Sequence, residues 1–116
     1  MGSRHVYSLA PAGAEILRDL VGQFDEAEAA KDDEFQVRLA FFDLLEDTEK
    51  ARILGLRRRA LEQRIEHRRT IHGDYAQDYD SPWVRRLMDY EQKRLAQELA
   101  WIQELEGIVA STGGAA

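Results

Sequence analysis

Six arginines, Arg57, Arg58, Arg59, Arg64, Arg68 and Arg69, crowd the middle of the chain, and their guanidinium groups could hold an anionic effector or a DNA phosphate. Glu49, Glu62 and Glu66 are interspersed among them, so the run reads first as a solvated, charge-balanced face. His67 and His72 stand five residues apart, which puts them on different sides of a helix rather than on one metal-binding face. A Glu-x-x-His ligand pair would need glutamate at 64 or 69, and both positions are arginine. Asp74, Asp78 and Asp80 lack the glycine turn and terminal glutamate of a calcium loop. No metal and no cofactor is therefore expected.

Catalysis finds equally little. Ser81 is placed to cap a helix, no Gly-x-Ser-x-Gly elbow occurs, and no glycine-rich phosphate cradle is present. The sequence has no cysteine, which removes a thiolate zinc site, a disulfide framework and a cysteine nucleophile together. The expectation is a protein that is not an enzyme. Trp83 and Trp101 are eighteen residues apart, close to five helical turns, so on one helix they share a face about 27 Å apart. Across an antiparallel pair of chains each could meet Tyr90 or Phe41, making a flat-walled cavity for a planar effector. Phe41, Trp83, Tyr90 and Trp101 are thus the candidate effector pocket, with packing as the simpler use of the same rings.

The elements that would carry these residues follow from bulk properties and period. With 116 residues, 44% hydrophobic and 33% charged, the chain suits one globular domain. Net charge is −6, and the acid lies in the first half, where residues 1–50 hold five basic against twelve acidic side chains. Such a chain repels phosphate backbone and is not a general nucleic-acid binder by itself. No stretch approaches the ~18 consecutive apolar residues of a membrane span, and no signal segment opens the chain, so a cytoplasmic protein is expected.

Residues 1–3, Met-Gly-Ser, read as a tag remnant. His5 to Leu9 alternates like one short strand. Pro11 suits the first turn of a helix carrying Ile16, Leu17, Leu20, Val21 and Phe24. Residues 25–33 read as a helix end and linker. A second helix, capped by Asp32 or Asp33, runs from Phe35 to Leu45, and a third starts near Asp47-Thr48-Glu49 and ends at Gly73. Ser81 at the cap and Pro82 at the first position start a fourth helix, from Trp83 to about Ile108. Residues 111–116 read as a disordered tail. The expected fold is all-α: a four-helix antiparallel bundle-like domain with a long C-terminal helix and a short N-terminal strand.

A helix of this length, about 38 Å, outruns the core of a small domain. Its stripe needs further cover, and a second copy of the chain is the simplest. A homodimer is expected, with Met88, Leu95, Leu99, Ile102, Leu105 and Val109 at its interface.

The string from Arg4 to Gly13, with Leu17 following, resembles the end of the winged helix-turn-helix in PadR-family transcription regulators. In that family an aromatic residue of the last wing strand leads into a Leu-Thr-x-x-Gly turn and a helix. Tyr7, Leu9 and Gly13 match that pattern, whereas Ala10 stands where threonine is usual and loses the cap hydrogen bond. Phe35 to Leu45 resembles the family's Phe-x-x-x-Leu-x-Phe-Phe helix, Thr48 to Ile71 its charged arm, and Leu95 to Leu105 its closing Leu-x-x-Glu-Leu-x-Trp-Leu segment. The resemblance covers nearly the whole chain, though each motif alone is weak.

What the resemblance implies is the C-terminal part of a homodimeric bacterial regulator, usually a repressor, whose operator-binding winged helix would lie upstream. Residues 4–24 would be the end of the wing and the helix after it, and residues 25–110 the dimerisation and effector domain. In some members that domain answers small aromatic or hydrophobic effectors. Two other readings stay open. One is a small dimeric helical enzyme of chorismate-mutase type using Arg57, Arg58, Gln63, Arg86 and Gln97; the other is a ligand-free helical scaffold dimer.

Overall fold

The absence of proline from residues 12–81 leaves α-helices free to run long, and two of them dominate the architecture. The computed structural model describes residues 11–75 and 81–115. Among these residues all regular structure is helical: α1 (Pro11–Gly22), α2 (Glu26–Ala29), α3 (Asp32–Ala40), a 3-10 turn (Phe42–Leu44), α4 (Asp47–Tyr75) and α5 (Pro82–Ala115). The strand expected over His5 to Leu9, with Tyr7 and Leu9, lies outside the described residues, as does the tag remnant. Gly13 lies in α1.

α4 and α5, 29 and 34 residues long, form an antiparallel hairpin. Arg68 of α4 reaches Glu91, whereas Arg57 and Arg58 reach Glu98 and Glu106, so numbers rise along one helix as they fall along the other. The core is the seam between them. Ile53, Leu54 and Leu61 meet Leu95 and Ile102, and none of the five keeps any exposed surface. Each such burial contributes roughly 1.5–3 kcal/mol. Val21, Phe24, Ala29, Phe35 and Leu45 extend this core across one side of the hairpin. The whole is elongated, 59 × 36 × 25 Å.

Several expectations change. The segment read as a linker holds α2, started by Asp25, whose carboxylate accepts the Glu28 N–H at 2.9 Å. The helix expected from Phe35 to Leu45 stops at Ala40 and tightens into the 3-10 turn. Neither Asp32 nor Asp33 caps α3: both lie in its first turn, Lys31 holds the cap position without a side-chain bond, and Asp32 is engaged by Arg57. Gly73 does not close α4, nor does Gly107 interrupt α5. Glycine ends a helix where it takes a left-handed φ, and among the described residues none does. The expected tail is helical to Ala115. The start of α5 is as expected, with Ser81 Oγ accepting the N–H of Trp83 at 3.3 Å and of Val84 at 3.5 Å.

The expected dimer stripe is the largest change. Leu95 and Ile102 are wholly buried inside the single chain, and Leu99, Leu105 and Val109 pack against the same core. α4 covers the face that was assigned to a second copy. Met88 is half-buried and lines a cleft between the two long helices.

Candidate functional site

Helix ends leave carbonyls without intrahelical partners, and here arginines supply the missing donors. Around the end of α1, Arg52 donates to the carbonyls of Phe24, at 2.8 Å, and Gly22, at 2.5 Å, while Arg38 donates to Gln23 at 2.9 Å. Around the end of α2, Arg57 donates to Ala29 at 2.8 Å and Arg64 to Ala30 at 2.5 Å. The favourable placing of cations at helix C-termini adds to each bond. Short helices are thereby fastened to the hairpin by polar clasps.

Arg57 is the centre of this arrangement. Its side chain is only 1% exposed, and its fork grips Glu98 at 2.8 and 3.0 Å and Asp32 at 2.6 Å. The guanidinium also lies 5.5 Å from the Phe35 ring centroid. Burial works against its charge, but the hydrogen bonds it donates to Glu98 and Asp32 outweigh that and hold its pKa above the ordinary value. The Arg57 hydrogen bond in turn draws the Asp32 carboxyl below its ordinary 3.8, against a smaller burial effect. Arg58 is held likewise, first by its hydrogen bond to Glu106 at 3.0 Å.

The arginine run is therefore not one solvated face. Arg57, Arg58 and Arg64 join helices, Arg59 is exposed, and Arg69 makes a surface pair with Glu66 at 3.4 Å. The burial of Arg57, named above only as a surface candidate, is signalled by the period, since Leu54, Arg57 and Leu61 recur at three- and four-residue steps on the buried face. The residues proposed for a helical enzyme do not converge. Gln63 lines a small recess with Glu26 and Leu56, Arg86 lines the cleft at the far end of the hairpin, and Arg57 is sealed by carboxylates.

The four candidate effector-pocket residues are all exposed: Phe41 41%, Trp83 78%, Tyr90 59% and Trp101 43%. Within one chain no ring contact joins any of them among the described residues. Trp83, Leu87, Tyr90, Trp101 and Ile108 nonetheless share one side of α5 at steps of three, four, seven and eleven. This exposed side lies about 100° around the helix from Leu95 and Ile102. α5 thus has two apolar stripes, one filled by α4 and one open.

Among the described residues no group of His, Cys, Asp and Glu could hold a metal ion, and no helix is long and apolar enough to cross a membrane. No protein-family model and no curated protein matches the chain.

Proposed function

We propose that this chain is the dimerising and effector-sensing half of a cytoplasmic PadR-like DNA-binding regulator, acting as a repressor whose winged helix lies upstream of α1. The observation that carries the dimer is the open stripe of α5. Taking roughly 150–250 Å² for an aromatic side chain, its five residues leave on the order of 600 Å² uncovered, close to the ~800 Å² per partner of a standard interface. A compact monomer of this mass exposes about 6,500 Å²; this chain exposes 8429 Å².

Charge selects the direction of pairing. The first part of α5, to Leu95, carries Arg85, Arg86, Lys93 and Arg94 against Asp89 and Glu91, whereas the remainder has no basic residue and keeps Glu104 exposed, Glu98 and Glu106 being held by Arg57 and Arg58. Antiparallel pairing about a two-fold axis near Leu95 puts opposite signs together and seats Tyr90 against Trp101 of the second copy, and Trp83 against its Ile108. The effector pocket of Trp83, Tyr90 and Trp101 then forms between the copies. The ordered resemblance to PadR regulators supports the DNA-binding parent, in which α1 would link the wing to this domain.

Sedimentation equilibrium tests the dimer. The wild type is expected to be dimeric at micromolar concentration, Leu87→Glu and Tyr90→Glu monomeric with unchanged helix content, and Val37→Glu, on exposed α3 surface, still dimeric. A monomeric wild type, or equal dissociation of Val37→Glu, would refute it. A parent gene with no winged helix-turn-helix ahead of Arg4 would refute the regulator.

A further inference from the structure

The far end of the hairpin, where α4 runs toward Tyr75 and α5 starts, holds a cleft of about 540 Å³. Arg68 and Arg69 line it from α4, and Arg85, Arg86 and Gln92 from α5. Among the described residues its one lining carboxylate, Asp89, is paired with Lys93 at 3.0 Å. Arginines from both long helices therefore line one cleft, whose volume suits a small metabolite.

Two buried polar atoms in its wall have no partner among the described residues: the Nε donor of Arg68 and the Oε1 acceptor of Gln92. Buried groups left this way are uncommon, and each marks a place where a ligand atom would be welcome. The Arg68 fork is otherwise only loosely engaged, with Nη2 3.8 Å from a Glu91 carboxylate that takes Arg94 at 2.8 Å. The Arg86 guanidinium lies 5.8 Å from the Trp83 ring centroid, which fixes its plane without neutralising it.

We propose that this cleft binds a small phosphate monoester that also carries a hydroxyl group. The phosphate oxygens match the planar forks of Arg68 and Arg86, which a single carboxylate would neutralise less fully. The hydroxyl donates to Gln92 Oε1. Asp89 stands about 160° around α5 from Leu87, and Gln92 about 160° from Tyr90, so that wall of the cleft faces away from the stripe assigned to the second copy, while Arg86, stacked on Trp83, borders the stripe.

Calorimetric titration of the full chain with ribose 5-phosphate at fixed ionic strength tests the proposal. Saturable binding is expected, weakened at least about tenfold by Arg68→Gln or Arg86→Gln, the loss of a charge-assisted bond, and unchanged by Arg59→Gln, an exposed arginine outside the cleft. Gln92→Leu is expected to reduce binding of ribose 5-phosphate but not of inorganic phosphate. Far-UV circular dichroism checks that each variant is folded. Absence of saturable binding at millimolar ligand, an equal loss in Arg59→Gln, or no discrimination by Gln92→Leu overturns it. So does tighter binding of a DNA duplex that the same arginine variants abolish, because the groups would then serve a nucleic-acid backbone.

Discussion

Arg57→Leu separates a buried staple from a solvated arginine. The substitution removes the two bonds to Glu98, the bond to Asp32 and the bond to the Ala29 carbonyl. Removing one partner of a buried pair costs about 3–5 kcal/mol. Water reaches the side chains left behind, Asp32 being 45% and Glu98 23% exposed, which puts the cost at the low end of that range. Burial of the new leucine offsets about 1 kcal/mol, leaving a net loss of about 2 kcal/mol. With a urea slope of roughly 1–2 kcal/mol per molar, the unfolding midpoint falls by about 1–2 M. The assay is urea unfolding followed by circular dichroism at one chain concentration, since association would add to apparent stability. Arg69→Leu is the exposed control, expected within about 0.5 kcal/mol of wild type. Adding Glu98→Leu to Arg57→Leu should recover more than half of the loss by removing the orphaned carboxylate. Equal midpoints for Arg57→Leu and Arg69→Leu would show that the clasp contributes nothing.

Two further predictions rest on single residues. Because Asp32 has a lowered pKa in the folded chain, its contribution is fully present above the ordinary 3.8 and is lost as pH falls through the lowered value. The gap in urea midpoint between wild type and Asp32→Asn should therefore shrink on acidification below about pH 4, and a constant gap would refute the linkage. Gly107 lies inside α5, and a Cβ there would meet nothing within 4 Å. Gly107→Ala should then raise stability by about 0.5–1 kcal/mol, read as a higher urea midpoint, and a lower midpoint would contradict a helix continuous through that position.

The sequence announces the helices through local chemistry and hides their fastening. Pro11 and the Ser81-Pro82 pair mark starts because their effects act within one turn. α2 went unread because four residues with one cap carry no period. Arg57 was legible by its spacing and misjudged by its type, since its partners Asp32 and Glu98 lie 25 and 41 residues away. The two stripes of α5 are hard to tell apart for a related reason. Leu95 and Ile102 read as a stripe in need of cover, and only the position of α4 shows that side to be filled and the side of Trp83, Leu87 and Tyr90 to be open.

The polar clasps reach no farther along α4 than Arg64 among the described residues, so past that point the hairpin is a cantilever of two helices supporting only each other. Such an overhang opens at lower free energy than its root, and its amides should exchange with solvent before those around Leu54 and Leu61. A molecule bridging Arg68 on one prong and Arg86 on the other would brace the tip and slow that exchange, making this end of the hairpin responsive to occupancy.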